Sequence, residues 1–481
     1  MASSEHLSFN EQVKRLTWPF WVANIMEMFE RLSYYGVRVV IPIYIAQADA
    51  VGGLHFSHSD KGLIFMAWAL VQSILPIFTG GFADRYGYKR QIVMAVALDV
   101  AGYVMMATQR EFWPFFAGCM LVAAGTAVFK PPVQATFVKS MDEKATGVGW
   151  GFFYQIVNIG GFLGPPVAHF FLGIGWPMVF YGSAALMCVN LLWLVTYKNV
   201  ESGADKSTGM MHVIKETAAN ILNYRLVFFI LIISGFWACF TQLFDMLPNF
   251  IVDWVDSSSI AAFLPDAMLS YGDSRGTPQI TQEWVINLNS FLIILFVVHI
   301  SWFVNERMRR LSSIFWGIIA SSLGVFVIST GQSIWLCFLG ISIFSVGEML
   351  SSPKMNEYLG VIAPKDKKAL FMGYANMPLA IGWGYGAFLG GQVYDENGDK
   401  AVLALKYLAE ELKMQDLPER SLAFKVLVTE LGQSATEVTN LLWDKYNPGQ
   451  VWYPFVALGL FSAMCLLVYN RLSRKWGDYD A

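Results

Sequence analysis

Charge is scarce in this chain. Only 14% of its 481 residues are Asp, Glu, Lys or Arg, while 55% are hydrophobic. That balance excludes an ordinary soluble enzyme and fits a polytopic membrane protein. A basic excess is missing too. The formal net charge of −3 leaves no electrostatic case for a nucleic-acid partner. The five cysteines, Cys119, Cys188, Cys239, Cys337 and Cys465, each fall inside an apolar run without metal-type spacing, so they are expected as small buried hydrophobes and no metal site is expected. No His-Glu-x-x-His and no phosphate-cradling Gly-Lys-Ser/Thr occurs, which leaves metalloprotease and ATP-driven pump readings without support. Gly272 to Gly276 spells Gly-x-Ser-x-Gly, but in a polar, turn-rich stretch and not in a strand–turn–helix setting. The first 16 residues are polar, so no cleavable leader is expected.

What the chain has instead is long apolar runs. With about 20 residues as the ruler for a span, twelve segments emerge near 18–46, 61–83, 90–108, 113–138, 147–172, 176–197, 225–251, 283–305, 311–330, 334–361, 367–393 and 451–470. Most Lys and Arg outside the spans fall on the side that holds the N-terminus, which predicts cytoplasmic termini. The stretch 198–224 divides the segments six and six, and an acid followed by bases recurs in loop 2–3 (Asp84, Arg85) and loop 8–9 (Glu306, Arg307). Two six-helix halves in parallel repeat, with a site near the midplane, is a transporter architecture. Residues 394–450 read as an outer insert of two or three short amphipathic helices, with Pro418 as a helix start, Gly432 as a stop and Ser434-Ala435-Thr436-Glu437 as a capping box. His55 and His58 read as solvated loop residues.

The first segment breaks the apolar pattern. Glu27, Glu30, Arg31, Tyr34 and Arg38 follow i, i+3, i+4, i+7, i+11 spacing and share one helix face. Each charge costs about 2.5–3.5 kcal/mol in hydrocarbon on insertion scales, so such a stripe is expected to face a protein interior or a water cavity. At about 1.5 Å per residue, Glu27 lies about 14 Å from Trp18, and Lys130 of segment 4 lies about 15 Å from Ser140. The two depths agree, so Lys130 is expected to meet the glutamates, and protonating a glutamate would release it for another anion. Glu348 sits near the middle of segment 10 and suits a substrate amine. Arg38 and Asp245 lie at equal depth near the outer mouth and are expected to pair as a gate. The interior acids Glu27, Glu30, Asp245 and Glu348 balance Arg31, Arg38, Lys130 and Lys354, which suits a zwitterionic ligand.

Gly80 to Arg90 resembles the loop 2–3 signature of the major facilitator superfamily. Four further stretches resemble the proton-coupled oligopeptide transporter family: Glu27-x-x-Glu30-Arg31-x-x-Tyr34-Tyr35-Gly36, Gly125-Thr126-Ala127-Val128-Phe129-Lys130-Pro131, Phe153-Tyr154-x-x-x-Asn158-x-Gly160 and Gly347-Glu348-Met349-Leu350-Ser351-Ser352-Pro353. The resemblance implies proton coupling by Glu27, Glu30 and Glu348. It implies substrate binding by Arg31, Tyr34, Tyr35, Arg38, Lys130, Tyr154, Asn158, Asn289 and Glu348, and a conformational loop at Asp84 and Arg85. Thr241 stands where that family has an acid, Ser290 where it has a proline, and Ile74 and Ala375 where it has aromatics; Lys354 follows Pro353 where it prefers a small residue.

The expectation is an all-α polytopic membrane protein with the major facilitator fold. Its bundles are 1–200 and 225–481, joined by a cytoplasmic linker 201–224 and carrying the extracytoplasmic insert 394–450. The expected function is secondary active transport: proton symport of di- or tripeptides or peptide-like zwitterions by alternating access. The alternatives are a different amino-bearing or anionic cargo on the same fold, or a membrane sensor or enzyme without transport. No enzyme activity and no cofactor beyond the coupling proton are expected. The chain is expected to act as a monomer in the plasma membrane, most simply a bacterial inner membrane.

Overall fold

The computed structural model describes residues 9–141, 146–197, 224–270, 275–362 and 374–475. Long helices dominate them. In order they are α1 (Phe9–Lys14), α2 (Trp18–Arg38), α3 (Ile41–Ala46), α4 (His58–Tyr86), α5 (Tyr88–Thr108), α6 (Phe112–Lys139), α7 (Thr146–Leu172) and α8 (Trp176–Thr196). There follow α9 (Tyr224–Phe240), α10 (Gln242–Asp245), α11 (Leu247–Trp254), α12 (Ser258–Ala261), α13 (Gln282–Arg307), α14 (Arg310–Ser329), α15 (Ile334–Ile362) and α16 (Met377–Asn397). The chain ends with α17 (Lys400–Glu410), α18 (Ala423–Leu431), α19 (Ala435–Tyr446) and α20 (Tyr453–Lys475). Strands β1 (Leu269–Ser270) and β2 (Gln279–Ile280) form a small antiparallel hairpin that the sequence reading did not anticipate.

Helices are the form that apolar surroundings impose, because every backbone N–H and C=O must be paired within the segment. Among the described residues seven helical segments are long and apolar enough to cross a bilayer by length and composition alone. The other five expected spans are α2 with α3, α4, α7, α13 and α16. Trp113, Leu192, Val195 and Phe461 point outward and stay well exposed, which is costly in water and suits a bilayer.

Several boundaries differ from expectation, each for a local reason. Segment 1 breaks after Arg38, and α3 restarts with Pro42 in its first turn, where a missing N–H costs nothing. Segment 7 is three helices, with Pro248 in the first turn of α11. The loop 2–3 signature is mostly helical: α4 runs through Asp84 and Arg85 to Tyr86, and Gly87 alone turns the chain at φ +93. Only glycine adopts that angle without strain. Arg85 is exposed, and the Asp84 side chain lies outside the described residues. The linker 201–224 falls outside them up to residue 223, as do Gly272 and Ser274 of the Gly-x-Ser-x-Gly pattern. In the insert, Pro418 precedes a 3-10 turn, Arg420–Leu422, and does not open a helix itself. Gly432 ends α18 at φ +61, and Ser434 with Glu437 forms the capping box of α19.

Two compact units form. One comprises residues up to Val37 together with those from Val71 to Tyr197; the other comprises Arg38–Leu70 together with Tyr224 onward. The far ends of segments 1 and 2 therefore belong to the second unit. In the first unit Phe20, Ala23, Met26, Ile92, Phe129 and Phe137 are core residues. In the second, Phe250, Trp254, Ile341, Phe344 and Trp452 form the largest core cluster, which extends into α17 and α18 of the insert.

The same packing device recurs in both units. A Cβ on Gly102 of α5 would fall 2.7 Å from the carbonyl oxygen of Gly118 in α6. A Cβ on Gly324 of α14 would fall 2.5 Å from that of Gly340 in α15. These are segments 3 and 4 in one half and 9 and 10 in the other, the positions that a parallel repeat equates. Small residues let the helix backbones touch where hydrophobic attraction between spans is weak. Gly324→Ala is expected to lower the melting midpoint of the detergent-solubilised protein, since overpacking typically costs about 1–3 kcal/mol. Gly384→Ala, where the nearest atom is 3.6 Å away, is expected to leave it unchanged. Equal melting of both variants would refute the close-contact account.

Candidate functional site

The charged stripe of α2 is buried in the first unit. Glu27 and Glu30 are each 2% exposed and Arg31 5%. Arg31 donates from Nε and one terminal nitrogen to both oxygens of Glu30, and its Nε lies 3.7 Å from Glu27 Oε1. Glu27 Oε2 has no hydrogen-bond donor among the described residues. The Arg31 guanidinium stands 4.7 Å over the Tyr34 ring and 5.7 Å from that of Tyr35, so two aromatic faces flank it.

Lys130 stands on α6, partly exposed, within electrostatic reach of Arg31, Glu27 and Glu30. It makes no direct ion pair among the described residues. Its position is held by an unusual repair of the helix. Pro131 and Pro132 lack the N–H groups that would bond the carbonyls of Ala127 and Val128. The Thr79 hydroxyl donates to Ala127 O at 3.3 Å and the Gln91 amide to Val128 O at 3.1 Å. The backbone around Lys130 is thereby satisfied from α4 and α5.

The α7 motif meets the α2 motif. A Cβ on Gly160 would fall 2.6 Å from Met28 O and 3.0 Å from Arg31 Cβ, and one on Gly164 would fall 2.9 Å from Gly36 N. Tyr154 is exposed, and Asn158 returns its amide to Tyr154 O at 2.7 Å, a bond within its own helix.

In the second unit Asn289 of α13 donates to Glu348 Oε2 at 3.0 Å and to Ser345 Oγ at 3.0 Å, both on α15. Lys354 pairs with Glu357 one turn along α15, and Arg310 shares that carboxylate. Lys354 is buried, and its charge is met by an exposed acid on its own helix.

At the far end of segment 1, Arg38 and Asp245 form a buried ion pair. Trp383 Nε1 donates to the other Asp245 oxygen at 2.9 Å, and the Arg38 guanidinium lies 4.2 Å from the Phe65 ring. The network continues. Lys61 Nζ donates to Asn249 Oδ1 at 2.7 Å and to Asp245 O at 3.0 Å. Asn249 donates to Gln47, Gln47 to Asp253, and Tyr394 OH to Asp253 Oδ2 at 2.7 Å. His58 is buried, not solvated: it opens α4 with its ring 4.5 Å from that of Tyr394 and Nε2 3.6 Å from Asp399. From the insert, Arg420 pairs with Asp399 and donates to Ala46 O at 2.8 Å and Phe56 O at 2.9 Å. Burial raises the Asp399 carboxyl above its ordinary range, and Arg420 opposes that shift.

The balance of four acids against four bases therefore does not hold. Asp99, Lys61 and Asp253 are buried ionisable groups that the sequence reading passed over. Lys61 and Asp253 sit at the edges of their apolar runs and read as boundary residues. Asp99 carried a signal, a lone acid inside segment 3.

The profile of the Major Facilitator Superfamily matches residues 24–253, just under half of the chain. Multidrug resistance protein MdtH of Edwardsiella ictaluri is 24% identical over 369 residues, covering 76% of this chain and 84% of that one. MdtH of Yersinia enterocolitica is 23% identical, over 83% of this chain and 90% of that one. A POT family transporter solved in complex with 5-aminolevulinic acid superposes with a TM-score of 0.63 at 17% identity, covering 89% of this chain and 96% of that one. The nucleoside transporter NupG superposes at 0.65 and 12% identity, over 94% and 99%. Residues 24–253 thus carry the sequence pattern of the major facilitator superfamily, and the chain has the major facilitator fold. Its fold is that of the POT structures.

The Arg38–Asp245 pair carries a direct test. Asp245→Asn strands a buried guanidinium, a change that typically costs about 3–5 kcal/mol. The melting midpoint in detergent is expected to fall in Asp245→Asn and in Arg38→Asp, and to recover by more than half in the swap Arg38→Asp/Asp245→Arg. A swap as unstable as the singles would show that the pair is not what the site requires.

Proposed function

We propose that this chain is a proton-coupled symporter of di- or tripeptides or similar zwitterions, working by alternating access. The observation that carries the reading is the Arg31 cluster: one guanidinium shared between Glu30 and Glu27, with Lys130 in electrostatic reach and without an ion pair among the described residues. A substrate carboxylate binding Arg31 or Lys130 adds one negative charge to a buried set. A glutamate that loses its cation then takes up a proton, because an unpaired carboxylate is the costly state in low dielectric. Substrate and proton thus bind together. Glu27 Oε2, without a donor, is open to that proton.

In the second unit Glu348, oriented by Asn289, offers an acid to a substrate ammonium. Tyr34, Tyr35 and Tyr154 supply aromatic walls, and Asn158 exchanges its helix-internal bond for a substrate amide. Arg38 with Asp245 acts as the gate at the far end. That end faces outward, both termini face the cytoplasm, and the membrane is a bacterial inner membrane, where the chain works as a monomer. Support for a zwitterion comes from the POT neighbour whose ligand, 5-aminolevulinic acid, carries an amine and a carboxylate.

A second reading keeps the fold and changes the cargo. The sequence relatives bear the name multidrug resistance protein, and Thr241 stands where a peptide transporter has an acid. Proteoliposomes decide between the two. With L-alanyl-L-alanine as probe, uptake is expected to rise at least tenfold when the outside is acidified, with proton entry that depends on the dipeptide. Lys130→Gln is expected to abolish pH-driven accumulation at normal expression. Proton-coupled movement of another solute, with none of the dipeptide, favours the second reading.

A further inference from the structure

Asp99 lies in α5, 1% exposed, pressed against α6. A Cβ on Gly125 would fall 2.2 Å from Asp99 Oδ1, so the carboxyl fills the space that any side chain at 125 would need. Neither of its oxygens has a hydrogen-bond donor among the described residues. The Thr126 backbone faces it from α6, where helix geometry already uses the amide.

The ionisable groups around it are few. Glu30 and Arg31 reach it from α2, and Tyr103 stands one turn along α5 with Tyr34 and Ser33 beyond. On α6, Lys130 is the cation near this level, while Lys139 lies exposed at the helix end. Helix α8, also packed on α5, contains no Asp, Glu, Lys, Arg or His. Among the described residues of this unit, three buried acids, Glu27, Glu30 and Asp99, therefore face two bases, the buried Arg31 and the partly exposed Lys130. Arg31 is already committed to Glu30 and Glu27. Neutrality needs one proton, and the acid without a cation or a donor is the one to hold it.

We propose that Asp99 is a second proton-binding carboxyl of the coupling site, protonated while Arg31 is paired with Glu30 and ionised when Arg31 turns to it. The exchange balances. The O–H bond at Asp99 breaks, the proton arrives on Glu30, and Arg31 moves its pairing from the Glu30 carboxylate to the Asp99 carboxylate. The total charge is unchanged, so the step runs inside a dry bundle without creating an unpaired ion. This inference rests on the symport reading for its purpose, but the proton on Asp99 is observable without any substrate.

Infrared difference spectroscopy on the full chain in lipid tests that proton. A protonated-carboxyl C=O band is expected in the unaltered chain, lost in Asp99→Asn and shifted in Asp99→Glu. In proteoliposomes with L-alanyl-L-alanine, Asp99→Asn, a fixed neutral isostere, is expected to keep counterflow and to lose at least tenfold of pH-driven accumulation, with partial rescue in Asp99→Glu. A purely structural neutral acid predicts no loss of accumulation, and that result overturns the proposal. So does an unchanged band in Asp99→Asn. Where Asp99→Asn does not fold, the band shift in Asp99→Glu decides alone. A chain that moves no dipeptide fails the symport reading, while the band still decides whether Asp99 carries a proton.

Discussion

Arg31 and Glu30 are both buried, Arg31 shares its nitrogens with both oxygens of Glu30, and much of the first unit is arranged to permit that pair. A guanidinium in such surroundings needs a counter-charge and geometry good enough to offset the desolvation of both ions. The geometry comes from backbone proximity. Gly160 lets α7 touch α2 at Met28 and Arg31, and Gly164 meets Gly36, so two helices close over the pair. Tyr34 and Tyr35 cover it with ring faces. A side chain at either glycine would force α7 away and let the pair loosen.

The placement of Lys130 follows from a different constraint. Two successive prolines after it leave two carbonyls unmet, and unmet carbonyls in a dry interior are expensive. Thr79 and Gln91 meet them. The prolines thus convert a weakness of α6 into cross-links to α4 and α5, which fix the lysine's level in the bundle, where it makes no ion pair among the described residues. A fixed backbone beneath such a cation suits the proposed role of taking and releasing a ligand.

Much of this was legible in the sequence, and the omissions have a common cause. The twelve spans were read from apolar length alone, and the α2 stripe from charge at helical spacing, because hydrocarbon punishes charge so heavily that each exception carries information. The Arg38–Asp245 pair was approached by depth counting, which works because a helix rises at a constant rate per residue. Lys61, Asp253 and His58 were lost because they sit at the ends of apolar runs, where a boundary residue and a buried one look alike. Their burial depends on the insert and on α16, which are far away in sequence. Lys354 lies inside an apolar run and is buried, but Glu357 one turn later meets its charge. Asp99 needed only the same scrutiny that Glu27 received.

The network around Arg38 differs from the Arg31 cluster in what it joins. It links the far ends of segments 1 and 2 to α10, α11, α16 and the insert through ion pairs and hydrogen bonds: Arg38 to Asp245, Lys61 to Asn249, Arg420 to Ala46 and Phe56. Buried ion pairs contribute little net stability, because desolvation offsets most of their attraction, and water can replace each hydrogen bond when the groups separate. A seal of that composition is specific in register and close to neutral in free energy. An apolar seal of the same extent would lose about 25 cal/mol for every Å² exposed on opening. In the proposed cycle this end must open and close once per turnover, so a polar seal suits it where an apolar one would lock. The insert then has a physical reason to be there. It brings Arg420 to the carbonyls of Ala46 and Phe56, at the broken end of segment 1 and the start of segment 2, and so ties these ends to Asp399.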